Sequence, residues 1–506
     1  MEYNTFKSEC DTIAMEIDRL VEAKDVQGLV AALARVDEVI ERHEKSECAS
    51  LFYYLGNGYS ALSAHYQEDA AKNAGSEKLQ KKYKRLALQK LRKAIMIWEQ
   101  QMESCEDTNE LLCIYTNYAN ELVSCGRVIE AIRIYRKTLD IDPQFGMATG
   151  NYGRCLGVFA NHVNDPGHHK ELHCYAYQAL CASLKMDDPC FHEDARKVFA
   201  ELVKQYDSIP DSDYLSEPIV FDEYDLGDSA ERTSRIWCLE HHLFLNPLND
   251  VIEIESAFAH DPLTITRFTE SEVIDEAGDV VISPCIEPPK WFAMLNQLKE
   301  EYIYARYLCY AGIEKRKTPH FADQHVNITL ASYDYTNYSV RVEQLKSAYR
   351  ILFALLDQIA FAINEFWNIG LEEKAADAYH VFNRKEYPKD NVALTALYWC
   401  HCEFTEVYGD AEKASEKDLK TLRNALEHKF VKIHEFPWKK NLTIAEDSFY
   451  HISEEDMIRH TVRLLELARE WIMEFVYAID IEEKQHKHKG RVFCMSVAEF
   501  EDVLKL

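Results

Sequence analysis

The chain has 506 residues, enough for about three domains at ~150 residues each, and its 47% hydrophobic, 28% charged and 12% aromatic composition excludes a disordered or low-complexity protein. Fifty-seven Lys and Arg against 86 Asp and Glu give −29, which excludes a protein that coats nucleic acid or anionic membrane with its whole surface and confines any such binding to a local basic patch. Fifteen cysteines without a C-x-x-C pair, an acidic start without a signal-peptide pattern, and no uncharged apolar run near the ~18 residues of a membrane span predict a cytoplasmic protein with reduced thiols and no membrane contact.

Proline sets the layout. None of the 13 precedes Pro143, and eight fall between Pro210 and Pro319. Because proline breaks helix interiors, this predicts an all-α protein with two helical blocks around an irregular connector, divided as 1–208, 209–289 and 290–506. In the first block, Leu112, Tyr115, Tyr118, Ala119, Leu122, Gly126, Ala131, Tyr135 and Pro143 occupy the bulky, small and terminating positions of a tetratricopeptide repeat. Phe52, Leu55, Gly56 and Tyr59 resemble the first helix of another copy. Ala87, Leu91 and Ala94 resemble its second, after a connection through AGSEKLQKKYKR. A weaker third copy has Tyr152, Gly153 and Leu156, then an insertion ANHVNDPGHHK, then ELHCYAYQALCASLKMDDP. Stacked repeats of this kind leave a concave groove suited to a peptide or protein segment, or else serve only to brace the second block.

Within the connector, Thr264-Ile265-Thr266 and Val280-Val281-Ile282 predict a short hairpin. In the second block, Leu345, Tyr349, Leu352, Leu356, Ile359, Ile363, Phe366 and Trp367 recur at three- and four-residue steps, which predicts a long helix ending near Asn368-Ile369-Gly370. Further helices are expected over 393–407, 418–433 and 454–479, joined as an up-down bundle.

The helix DLKTLRNALEHKFVKI carries the chemistry. At ~100° per residue, Leu419, Leu422, Leu426 and Phe430 fall in one apolar stripe, while Arg423, Glu427, Asn424 and His428 share a polar face with Asn424 and His428 one turn apart. These residue types suit RNA cleavage by an internal nucleophile. An imidazole exchanges a proton with the ribose 2′-OH or the leaving 5′-oxygen, and a guanidinium holds two phosphate oxygens as charge builds in the transition state. One imidazole does not readily serve as both base and acid, so a two-fold dimer pairing two copies of the helix is expected to complete the site.

Spacing alone is uninformative. About three Arg-to-His pairs at this interval are expected by chance, and three occur, the others being Arg235 with His241 and with His242. What distinguishes Arg423 is the Asn beside it, the clean apolar stripe, and a local charge of +4 between Lys413 and Lys440. Lys420, Lys429, Lys432, Lys439 and Lys440 are the expected RNA-binding cations, with Phe436 and Trp438 as stacking candidates at the edge.

The helical block with R-N-x-x-x-H at Arg423 to His428 resembles a HEPN domain, the higher-eukaryote and prokaryote nucleotide-binding superfamily. RIWCLEHHLFLNPLND, EEYIYARYLCY and LKSAYRILFALLDQIAFAINEFW resemble framework segments of the bacterial proteins that place such a domain after tetratricopeptide-like repeats. The resemblance implies a metal-independent endoribonuclease acting as a homodimer through this domain, commonly a toxin or anti-phage defence effector. It places the catalytic Arg and His on Arg423 and His428 and the polar residue after Arg on Asn424. A rival reading keeps the fold without catalysis: a repeat scaffold holding a peptide or protein, with the bundle used for dimerisation or nucleotide binding.

No cofactor or metal is implied. His169 and His173 stand four apart in a stretch rich in His and Cys, but no third ligand has suitable spacing. Cys400-His401-Cys402 reads as helix packing, and neither H-E-x-x-H nor a Gly-rich phosphate loop occurs. The basic tail KQHKHKGR either adds to RNA attraction or is a solvated turn.

Overall fold

The structure is a computed structural model and describes residues 2–44, 48–70, 73–101, 108–188, 191–210, 212–217, 220–251, 255–271, 273–274, 280–281, 289–314, 320–325, 335–404, 417–436, 449–486 and 490–494. The protein is all-α, with a few short strands. It divides into two units, Met1–Asn161 with Lys170–Pro218, and His162–His169 with Ile219–Leu506.

The first unit is a series of helices: α1 (Glu2–Glu22), α2 (Val26–Arg42), α3 (Ala49–Ala70), α4 (Ala74–Gln101), α5 (Asn109–Ser124), α6 (Val128–Ile141), α7 (Gly146–His162), α8 (Pro166–Lys185) and α9 (Glu193–Asp207). Consecutive helices pack closely because small residues sit at the crossings. A Cβ on Gly56 of α3 would lie 2.6 Å from Leu91 Cγ of α4, and one on Gly153 of α7 would lie 2.9 Å from the Ala176 carbonyl oxygen of α8. Two segments differ from the sequence reading. AGSEKLQKKYKR is the first part of α4 rather than a connection, since Leu79 and Tyr83 stand one turn apart and run on at helical spacing into Leu86, Ala87 and Leu91. ANHVNDPGHHK is largely helix end and helix start, with only residues 163–165 between α7 and α8.

In the second unit the helices are α10 (Ser229–Glu240), α11 (Lys290–Ile313), α12 (Val340–Phe366), the short α13 (Ala378–Phe382), α14 (Val392–Phe404), α15 (Lys417–His428) and α16 (Glu454–His486). Asp228 caps α10 by accepting from the Ala230 and Glu231 amides, and Ser339 caps α12 by accepting from the Val342 amide. The expected end of α12 holds: Asn368 (φ 50°) and Gly370 (φ 84°) take the left-handed conformation that stops a helix. α16 runs longer than expected and carries the bundle core, with Leu464, Leu465, Trp471, Ile472, Phe475 and Val476 buried.

The hairpin needs correction. Val280–Val281 (β3) does pair antiparallel, but with Val273–Ile274 (β2), while Thr264-Ile265-Thr266 is irregular and Ile282 lies outside the described residues. The strand that follows Thr266, β1 (Arg267–Ser271), pairs antiparallel with β6 (Gly490–Cys494), which places Arg491 of the basic tail in a strand rather than in a solvated turn. The helix expected over 418–433 ends at His428. Phe430–His434 forms β4, paired in parallel with β5 (Phe449–Ser453), because FVKIH and FYHIS are rich in the β-branched and aromatic residues that fit a pleated surface. Phe430 therefore leaves the apolar stripe and is 72% exposed.

Among the described residues, no helix is long and apolar enough to cross a membrane. Cys10, Cys48, Cys125, Cys155, Cys174, Cys238, Cys309, Cys400 and Cys402 are buried thiols, and Cys113 and Cys181 are half-buried ones.

Candidate RNA-cleavage site

α12 holds α15 in place. Tyr349 donates its hydroxyl to the Leu419 carbonyl at 2.7 Å, and Arg350 Nη2 donates to the Leu426 carbonyl at 3.0 Å. Leu419, Leu422, Ala425 and Leu426 are buried, so the apolar side of α15 is core and its polar side is left to solvent. Asn424, Glu427 and His428 are exposed, and Arg423 is half-buried.

Two groups lie directly against the Arg423 guanidinium. Its Nη1 donates to Asn424 Oδ1 at 3.2 Å, and its guanidinium carbon stands 5.7 Å from the centre of the Phe353 ring. It also acts electrostatically on Asp357. Burial raises that carboxyl above the ordinary range, and Arg423 pulls in the other direction. Phe353 and Asp357 are one turn apart on α12, and the sequence reading missed both; their four-residue spacing on the long helix was the available signal.

His428 ends α15. The Lys429 amide still donates to the Ala425 carbonyl at 2.9 Å, and the chain then turns directly into β4. Among the expected RNA-binding cations, Lys420 and Lys429 are exposed, and Lys432 is half-buried with its Nζ 4.3 Å from the centre of the Phe449 ring. Lys439, Lys440 and Trp438 lie outside the described residues. Phe436 is 56% exposed and meets Tyr335 edge-on with ring centres 5.6 Å apart. The sequence reading also missed His451, which is stacked on buried His434 with Nε2 of His434 2.9 Å from Nδ1 of His451.

The competing Arg235 pairs have other duties. Arg235 bridges to Glu231, donates to the Asp225 carbonyl at 2.7 Å and lies over Tyr224. It lines a cavity of about 670 Å³ with His260, Tyr307 and Tyr310. His242 binds the Asn249 carbonyl and His241 packs on Trp237. His173 bonds the Tyr206 hydroxyl at 2.9 Å, and among the described residues no three His, Cys, Asp or Glu side chains form a metal-binding group. Cys400, His401 and Cys402 are all buried, His401 stacking on Phe382.

Elsewhere in the second unit a largely buried polar junction ties α11 to the segment after α10. Arg306 holds Asp261 through two contacts at 2.7 and 3.0 Å and donates to the Leu243 carbonyl, which also accepts from Tyr302. These bonds fasten the LFLNPLND stretch to α11.

Residues 284–482 match the family model described as LA2681-like HEPN, which supports a HEPN domain in the C-terminal part of the chain. No curated protein and no solved structure matches the chain.

Proposed function

We propose that the C-terminal HEPN domain is an endoribonuclease that works without a metal ion. The observation that carries this reading is the placement of Arg423, Asn424 and His428 together on the outer side of α15, with His428 exposed rather than packed into the core.

The nucleophile is the substrate's own 2′-OH. As the bond from O2′ to phosphorus forms and the bond from phosphorus to O5′ breaks, one imidazole takes the 2′ proton and another protonates the 5′-oxygen. Arg423 holds the non-bridging oxygens while negative charge builds on them. A two-fold dimer brings the second His428 and Arg423, and the products are a 2′,3′-cyclic phosphate and a 5′-hydroxyl. The resemblance to bacterial HEPN proteins adds the finer reading: a cytoplasmic toxin or anti-phage effector whose N-terminal tetratricopeptide-like helices bind a protein or peptide and restrain or release the nuclease.

The test is incubation of the full-length protein with RNA in EDTA, beside Arg423→Ala and His428→Ala, with the cleaved ends identified chemically. Cleavage in EDTA that both substitutions abolish supports the reading. Cleavage that needs Mg²⁺, or that survives both, overturns it. Induction of the intact gene is expected to arrest growth, and His428→Ala to relieve the arrest. A partner retained without cleavage under any trigger would favour the scaffold reading instead.

A further inference from the structure

β4 and β5 lie side by side in a register that sets Phe430 opposite Phe449 and Lys432 opposite His451. Strand side chains alternate, so Phe430, Lys432 and His434 share one face with Phe449 and His451. The Phe430 and Phe449 rings are 5.7 Å apart, Lys432 Nζ stands over Phe449, and the row continues through His451 to His434. Burial grades along this row. The His434 end is closed, Phe449, Lys432 and His451 are half-open, and Phe430 is open to solvent.

The open end adjoins the cleavage residues. Lys429 alone separates Phe430 from His428, so their Cα atoms stand at most about 7 Å apart. A nucleotide spans a similar length, so a base next to a phosphate held at His428 falls within reach of the Phe430 ring. Charge favours the same occupant: over 417–436, Lys417, Lys420, Arg423, Lys429 and Lys432 outnumber Asp418, Glu427 and Glu435 by two in a chain of net −29. Aromatic rings interleaved with cations are the combination that holds unpaired bases, because every base has a face to stack while its phosphate meets a cation.

We propose that the Phe430–Phe449 face of β4 and β5 is a stacking platform for the base beside the scissile bond, and that the substrate is therefore single-stranded RNA. This rests on the ribonuclease reading above. A duplex cannot satisfy the platform, since its bases already stack on one another. Lys432, held over Phe449, contacts the phosphate of the stacked nucleotide.

The test uses binding that cannot proceed to cleavage. A fluorescein-labelled 2′-O-methyl RNA strand, which lacks the nucleophile, is titrated with the full-length protein by fluorescence anisotropy, alone and annealed to its complement. The single strand is expected to bind more tightly than the duplex. Phe430→Ala is expected to weaken it about tenfold to a hundredfold, with Phe430→Trp restoring most of the loss. Lys432→Gln is expected to lower the slope of log affinity against log salt by about one. Because Phe430 is mostly exposed, its variants should fold, and a thermal melt verifies it. Equal binding of single strand and duplex, or unchanged binding by Phe430→Ala, overturns the platform. A Phe430→Ala effect on dimerisation alone also overturns it, since the face would then be a protein contact. The two readings fail separately. Absence of cleavage of unmodified RNA under any trigger, with the Phe430 effect intact, removes the nuclease and leaves a surface that only binds single strands, and cleavage unaffected by Phe430→Ala does the reverse.

Discussion

Arg469 Nη1 lies 2.7 Å from Asp250 Oδ2, and neither side chain reaches solvent. The same guanidinium donates to the carbonyls of Phe244 and Asn246, so one residue of α16 fastens the LFLNPLND stretch to the bundle core. Removing one partner leaves an uncompensated buried charge. Arg469→Met is therefore expected to cost about 3–5 kcal/mol, and the double variant Arg469→Met with Asp250→Leu less than the sum of the single changes. Thermal denaturation of the four proteins checks this, and additive losses would contradict it.

Stability should fall in two separate pH windows. His401 is stacked on Phe382 in the core, and burial together with the Lys420 charge pushes its imidazole down to about 4 from 6.5. As pH drops below about 6.5 the unfolded chain takes up that proton first, so the stabilisation is complete above 6.5, declines between 6.5 and 4, and levels off below. Asp261 behaves at lower pH. Burial would raise its carboxyl, but the Arg306 guanidinium overrides this and holds it below the ordinary carboxylate range. Its contribution is present above about 4 and is lost as pH falls through the lowered value. His401→Leu should flatten the upper window by up to about 3 kcal/mol and leave the lower one, as read by urea denaturation at pH 7, 5 and 3.

How far the sequence reaches depends on whether an element's partner is local. The stripe from Leu345 to Ile363 sufficed for α12 because every residue in it is buried by the same face, and Asn368 and Gly370 supply the stop. Phe430 misled because it continues the 3.6-residue period of Leu419, Leu422 and Leu426 by coincidence. What decides its conformation is β5, 19 residues further on, and no pattern within α15 announces it. The same holds for β1, whose partner Gly490–Cys494 lies beyond the whole bundle. That Arg423, Asn424 and His428 share one polar face was legible because they lie on one helix, whereas Phe353 comes beside Arg423 only through the packing of α12 on α15.

The close crossing of α7 and α8 makes a second stability prediction. A Cβ on Gly153 would meet the Ala176 carbonyl oxygen at 2.9 Å and the Leu180 amide nitrogen at 3.0 Å, and backbone atoms cannot turn aside as a side chain can. Replacing glycine within a helix normally gains up to about 1 kcal/mol. Here the crowding should outweigh that gain, and Gly153→Val is expected to destabilise the protein by about 1–3 kcal/mol. A chemical-denaturation midpoint at or above that of the parent would show that the helices can part.

Asn424 is expected to act through Arg423. Its Oδ1 accepts from Arg423 Nη1 at 3.2 Å, which fixes the direction of a guanidinium whose carbon otherwise stands 5.7 Å from the centre of the Phe353 ring. Asn424→Ala leaves that charge in place but unaimed, so the cleavage rate should fall about tenfold, well short of the ~10²- to 10⁴-fold expected for removing the proton-transfer group in His428→Ala. Asn424→Asp keeps an acceptor at the same position and should recover much of the rate. Since the site is proposed to need two copies of α15, the specific activity of the parent protein should also fall as it is diluted below its dimer dissociation constant, while the ratio between parent and Asn424→Ala stays fixed. Activity per subunit that is independent of concentration down to the monomer would place the whole reaction within one chain and leave the second proton transfer to another group of that chain.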